Sequence, residues 1–358
     1  MAKEIRLNRL VLSELPKLYN FESFEGNDAF SIFSSGEVIS IIAKYSEQLG
    51  IDRNICDGSE LPKALSSALS SADSSIRLTA EEITLDLGRR LGLIFYVLTR
   101  DPSITIKANP RYSEIDFKLW TYMRHVILVG GLANGDLGIS LAKNAENILR
   151  ELGYENLSIS VGPFPSHTQL IGASRLADTE NGNAAIFDFG HTFVKTAVAH
   201  FTNRTLDSLK LLPKVHSEYM GKGFASAEEE LREAEMLHGY IVKVIKDVFT
   251  IANRTLSSNI VISIANNAIG GKIGYGGCYY KLMLLADNYA DYLAITLSAE
   301  LKRDIHVTLL HDGRAAALCF EEKENTAAVA LGTAFGVGYT EGQSELMNIS
   351  DSLEISLL

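Results

Sequence analysis

Two segments of this chain carry residue types suited to phosphate oxygens. Ala184 to Val198, AAIFDFGHTFVKTAV, and Thr326 to Thr340, TAAVALGTAFGVGYT, each pass from an apolar strand through a Gly/Thr turn into a second β-prone run. Such a turn offers backbone N–H groups and a hydroxyl to an anion, and glycine permits close approach because no side chain intervenes. Asp188, Gly190 and Thr192 belong to the first turn, Gly332 and Thr333 to the second. Each segment alone also reads as an ordinary hairpin; two in separate lobes would clamp one polyphosphate. In a third segment, Ile127 to Gly138, a strand leads into Gly130, Gly131 and Ala133 and then a helix with Leu141, Ala145 and Ile148 on one face. Its spacing is not GxGxxG, and the chain has no Walker lysine motif, so a Rossmann or P-loop site is the weaker reading.

A fourth segment, Leu309 to Leu318 (LLHDGRAAAL), ends an apolar strand in His311 and Asp312 just before a small-residue helix. Asp312 there either caps that helix, worth ~1 kcal/mol, or serves as a general base; the local pattern leaves both open. Asn266 and Asn267 follow another strand in SIANNAIGG, either to contact acceptor hydroxyls or as turn formers beside Gly270 and Gly271. Lys195 alternates on a strand and is expected to face solvent, while His125 and His167 are expected to be structural or solvated.

The elements that must position these residues alternate. Strands are expected at His125–Val129, Ser158–Val161, Ala184–Phe187, Asn259–Ile264, Val307–Leu310 and Ala327–Leu331. A capping box at Thr79 and Glu82 precedes a stripe of Leu87, Leu91, Ile94 and Leu98; a second at Ser226 and Glu229 precedes Leu237, Ile241, Ile245 and Val248. A third helix is expected from Lys281 to Leu301, and a serine-rich loop over Ser66 to Ser75. Strands alternating with amphipathic helices indicate an α/β architecture with mixed or parallel sheets.

Composition narrows the function classes. The 358 residues suffice for two domains. With 44 acidic against 33 basic side chains, the net charge of -11 disfavours nucleic acid as a partner. The three cysteines, Cys56, Cys278 and Cys319, form no cluster, which argues against a disulfide scaffold or a cysteine zinc site. No apolar run reaches the ~20 residues of a membrane span, and MAKEIRLNRL lacks a leader's apolar core. The expectation is a soluble cytoplasmic protein.

Together the four segments resemble the ROK family of sugar kinases, within the actin-like ATPase superfamily. That family carries a DxGGT phosphate hairpin, then an NDANAAA segment with its catalytic aspartate, then a GTGxGGG hairpin, then a GG-containing adenosine segment. Here DFGHT (Asp188 to Thr192), HDGRAAAL (His311 to Leu318) and LGTAFGVG (Leu331 to Gly338) keep that order, while ILVGGLANGDLG precedes them all. LIGASRLA (Leu170 to Ala177) resembles the family's closing helix. The rotated order implies a circular permutation of the two-lobed, ribonuclease H-like fold, with 1–180 and 313–358 in the larger lobe and 181–312 in the smaller.

The resemblance implies ATP-dependent phosphoryl transfer to a hydroxyl of a sugar or sugar-like small molecule. Asp312 would be the general base; Asp188 would orient Mg²⁺ through water; Gly190, Thr192, Gly332 and Thr333 would hold phosphates; Gly130, Gly131 and Ala133 would lie against adenosine. His311, Asn266 and Asn267 would reach the acceptor. His191 stands at the family's second Gly, His311 and Gly313 flank the aspartate in place of the usual residues, and the family's zinc segment is missing after Gly338, so Mg²⁺ and no zinc is expected. The implied partners are ATP and a small molecule, with a homodimer left open. The alternatives are a nucleotide- or sugar-binding regulator that has lost transfer and an actin-like ATPase acting on a protein.

Overall fold

The apolar runs bounded by turn residues become strands. The structure, a computed structural model, describes residues 5–252 and 255–358; residues 1–4, which open the expected leader-free start and the 1–180 stretch, and 253–254, inside 181–312, lie outside them. In chain order the strands are β1 (His125–Val129), β2 (Ser158–Val161), β3 (Gly182–Phe189), β4 (Phe193–Thr202), β5 (Thr205–Leu211), β6 (Val215–His216), β7 (Asn259–Ile264), β8 (Ala268–Ile269), β9 (Lys272–Ile273), β10 (His306–His311), β11 (Thr326–Leu331), β12 (Phe335–Tyr339) and β13 (Asn348–Leu357). The α-helices are α1 (Ala29–Ile32), α2 (Ser35–Lys44), α3 (Leu61–Ala68), α4 (Ser74–Thr99), α5 (Pro102–Thr105), α6 (Glu114–Tyr122), α7 (Gly135–Glu151), α8 (Thr168–Ser174), α9 (Ala227–Ile251), α10 (Tyr289–Leu301) and α11 (Asp312–Leu318). The fold is mixed α/β, as expected. No helix of the described residues is long and apolar enough to cross a membrane.

Helix starts follow side-chain caps. Ser226 accepts from the Glu229 N–H at 3.1 Å and opens α9 as expected. α4 begins earlier than the Thr79/Glu82 box, because Asp73 accepts from Ser75 and Ile76 N–H groups, and Thr79 Oγ1 bonds back to Ser75 O within the helix. The helix expected from Lys281 is split: a 3₁₀ turn covers Tyr280–Leu284, and α10 starts at Tyr289 under the Asn288 cap. Within Ser66–Ser75, the expected loop shrinks because α3 extends to Ala68 and α4 begins at Ser74.

The chain divides into two compact units. The first runs to Ser166 and takes back Lys323–Tyr339; the second comprises His167–Glu322 and Thr340–Leu358. The expected boundaries therefore shift, with 167–180, 313–322 and 340–358 joining the second unit. Long-range partners cause the shift. β13 pairs in parallel with β5. Arg175, only 5% exposed, donates to Leu318 O at 2.6 Å and Met347 O at 2.8 Å and pairs with Glu322. Glu321 accepts Arg314 at 2.9 Å and the N–H groups of Glu341 and Gln343 at 2.8 Å each.

The first unit's sheet has the order β12-β11-β1-β2 and the second's β10-β7-β3-β4-β5-β13, with β6 beside β4. One pattern occurs in both. A hairpin strand lies antiparallel to its neighbour, which is followed by two parallel strands: β12-β11-β1-β2 in the first unit and β4-β3-β7-β10 in the second. Along the chain the hairpin comes last in the first unit and first in the second. The first core gathers α4 and α7 residues around Val126, Leu128 and Val329; the second packs α9 and α10 onto Phe187, Phe189, Ile260 and Ile262.

Candidate active site

In the second unit, alternation along β3 decides where Asp188 points. Phe187 and Phe189 enter the core under α9 and α10, so Asp188 lies on the opposite face, and α8 packs against β3, β4 and β7. Ladder register sets Asp188 opposite Lys195 of β4 and Ser263 of β7, with Leu310 of β10 next in the row. Lys195 Nζ donates to Asp188 Oδ2 at 3.3 Å and Ser263 Oγ to Oδ1 at 3.2 Å. Lys195 is thus not the solvent-facing residue that strand alternation alone suggested. Burial raises the Asp188 pKa; the Lys195 ammonium pulls it down, and the charge of Asp312 adds to the rise.

The turn after β3 is braced from outside. Gly190 N–H is spent within the turn, on Asp188 O at 3.1 Å and Phe193 O at 3.2 Å, so this amide is not the anion donor expected of it. A Cβ there would lie 2.8 Å from Phe193 O. Gly190 O accepts from Ser217 Oγ and Tyr279 Oη, each at 2.8 Å, and Ser217 N–H donates to Thr192 O at 3.0 Å. His191 and Thr192 remain exposed at the tip. Nothing local in the sequence marks Ser217 or Tyr279 as parts of this turn.

β10 delivers Asp312 two residues beyond the Asp188 row. α11 begins at Asp312 itself; its N-cap is His311, which makes no side-chain cap bond. Asp312 is therefore not the N-cap, and its Oδ1 accepts the adjacent Gly313 N–H at 2.7 Å. His311 Nε2 lies 2.9 Å from the same oxygen. α11 packs tightly on α8, where a Cβ on Gly172 would fall 1.8 Å from Ala315 O. Cys278 lies within electrostatic range of Asp312: burial pushes its thiol up, Lys222 opposes this and Asp312 adds to it.

Asn266 does not point outward. Only 3% exposed, it donates to Gly274 O at 2.8 Å and Asn267 O at 3.2 Å and accepts Tyr279 N–H at 3.2 Å, so it organises its own loop. Asn267 is exposed. His167 precedes α8, with burial chiefly, and Lys195 and Lys214 in addition, lowering its pKa; its Nδ1 and Gln169 Oε1 are buried without a hydrogen-bond partner among the described residues. His125 Nδ1 meets Ser158 Oγ at 2.7 Å, a structural role.

The first unit brings Gly130 and Gly332 together. β1 and β11 are parallel neighbours, and Gly130, at φ +90°, lies so close that a Cβ would sit 2.6 Å from Leu331 O. Gly131 has open space around its Cα, whereas Ala133 is fully buried and cannot lie against a ligand as expected. Asn134 Nδ2 holds Gly131 O at 2.9 Å and Ser166 Oγ at 2.5 Å. On the other side of the turn Ser35 N–H donates to Gly332 O at 3.1 Å, and Asn8 exchanges two hydrogen bonds with Phe335, at 2.9 and 2.8 Å. Thr333 is exposed at the tip. Asn8 and Ser35 lie some 300 residues away from the turn they brace, beyond the reach of local pattern.

Among the described residues no group of three or more His, Cys, Asp or Glu side chains could hold a metal ion. No protein-family model and no curated protein matches the chain.

Proposed function

We propose that this chain transfers the γ-phosphoryl group of ATP to a hydroxyl of a sugar or sugar-like small molecule in the cytoplasm, as a circularly permuted relative of the ROK sugar kinases with an actin-like fold. One observation carries the proposal: in a single unit, Asp188 and Asp312 come to the C-terminal ends of β3 and β10, parallel strands separated only by β7. Ligands of open α/β sheets bind at such ends. The shared four-strand pattern, with its hairpin first in one unit and last in the other, also supports the permuted two-lobed reading.

On this reading Asp312 takes the proton of the attacking hydroxyl, and the exposed tip at His191–Thr192 meets phosphate oxygens. Catalysis of this kind is mostly positioning and charge neutralisation. The donors suit Mg²⁺, which takes hard oxygen ligands, one or two carboxylates, waters and substrate phosphates rather than an all-protein cage. Asp188, already bonded by Lys195 and Ser263, would hold it through water. When bound, the cation neutralises polyphosphate charge. One observation favours the alternative of a binding regulator without transfer: Lys195 already pairs with Asp188.

The test combines a thermal shift with Mg-ATP and ADP release across hexoses and amino sugars. Acceptor-dependent ADP release in the wild type, lost at least ~10²-fold in Asp312→Asn at unchanged melting temperature and Mg-ATP affinity, is expected. Stabilisation by nucleotide without turnover would instead select the regulator.

A further inference from the structure

We infer that His238 is a pH-sensitive latch holding the start of α10 to α9: its neutral ring accepts the buried Tyr289 hydroxyl, and protonation breaks that tie. The latch does not depend on the transfer reading. His238 follows Leu237 on the stripe that α9 turns to the second core, and Tyr289 opens α10 directly after its Asn288 cap. A hydrogen bond of 3.0 Å joins His238 Nδ1 to Tyr289 Oη. Tyr289 is 1% exposed, and its hydroxyl has no other partner among the described residues. The two rings meet edge to face at 5.8 Å, with Tyr292 at 4.9 Å from the imidazole.

Proton counting makes this contact one-way. A buried hydroxyl hydrogen is costly to leave without an acceptor, and bare Nδ1 is the acceptor offered, so the neutral ring carries its proton on Nε2. An imidazolium has N–H groups at both nitrogens. When His238 takes up a proton from solvent, Nδ1 can only donate, the Tyr289 hydrogen loses its acceptor, and a charge enters a half-buried position. The groups around the ring do not offset this. Tyr289 and Tyr292 face it from α10, while in the 3₁₀ turn Tyr280 bonds Glu230 and Lys281 pairs with Glu233. Glu235 of α9 and Asp291 of α10 are exposed. Burial alone lowers the His238 pKa. At the other end of α10, Glu300 accepts Lys246 of α9 at 2.5 Å, which holds its carboxyl below the usual range. Mild acid therefore leaves that tie intact, and loosening concentrates at the Tyr289 end.

Amide exchange of the whole chain, read by mass spectrometry as protection factors from about pH 7.5 to about pH 5, tests the latch. His238→Asn keeps an oxygen acceptor near the Nδ1 position, does not titrate and has a helix propensity close to histidine's. The folded pKa lies below the ordinary 6.5, so the unfolded chain binds the proton first and stability falls as pH drops through that interval. Relative to His238→Asn, the wild type should lose protection at the start of α10 by up to about tenfold per pH unit, with the Glu300 end alike in both. Tyr289→Phe has no hydroxyl hydrogen to strand and should show a shallower pH profile than the wild type. Long-range ¹H–¹⁵N spectra of the wild type, which need no variant, should place the neutral-ring proton of His238 on Nε2 and show it titrating below about pH 6.5. Parallel profiles in wild type and His238→Asn, an undiminished slope in Tyr289→Phe, or a neutral-ring proton on Nδ1 overturns the inference.

Discussion

Replacing Lys195 by methionine removes one charge and keeps most of the side-chain volume, so it isolates what the ammonium does for Asp188. At 3.3 Å the attraction is about 5 kcal/mol gross at an effective dielectric of ~20. Asp188 is 4% exposed, so losing its partner leaves a buried charge, which typically costs ~3–5 kcal/mol. A ceiling applies, because Asp188 can escape by taking up a proton: from an ordinary value near 3.9 to neutral pH this costs about 4 kcal/mol. We therefore expect a loss of about 3 kcal/mol at neutral pH. Its pH dependence has a definite sign. The native Asp188 pKa is raised, so the folded state binds the proton more tightly than the unfolded chain, and stability falls as pH rises from the unfolded value through the raised one. Without Lys195 that window extends upward, so the deficit of the variant should be smaller in acid than at neutral pH. Urea unfolding followed by far-ultraviolet circular dichroism reads this; Trp120 fluorescence alone is unsuitable, since the single tryptophan lies in the first unit. An equal deficit at both pH values, or an undiminished one in an Asp188→Asn background, would refute the reasoning.

Three further outcomes are expected. Gly172→Ala puts a Cβ 1.8 Å from Ala315 O and should cost about 3 kcal/mol as α8 and α11 are forced apart, visible as a lowered melting temperature; an unchanged melt would contradict the tight crossing. Asn8→Ala removes both hydrogen bonds to Phe335 and should cost about 1–3 kcal/mol, with faster amide exchange at Phe335 as the direct check. Ser226→Ala deletes the α9 cap and should cost ~1 kcal/mol, most of it restored by Ser226→Asp; equal stability of the two variants would argue against capping.

Local features were legible from residue order alone. The apolar runs at His125–Val129, Ser158–Val161 and Asn259–Ile264 are strands over those same residues, because a short β-branched run between turn residues carries its preference in itself. Ser226 was readable as a cap for a similar reason: its bond reaches only three residues. So were the glycine turns and the strand end at Asp312. The α4 start differs from the Thr79/Glu82 box because two capping sets lie in series, and the Asp73 set, first in chain order, opens the helix.

Tertiary structure alone decided who partners whom. Lys195 faces Asp188 because antiparallel register pairs their two strands at that point, and a period of two says which residues share a face without saying which face is covered. Asn266 is a loop organiser because Gly274 and Tyr279 fold back onto it. The C-terminal segment belongs to the second unit because β13 finds β5 across more than a hundred intervening residues. Pairing over such separations is selected by the burial and hydrogen bonding of the assembled fold, and no local periodicity encodes it.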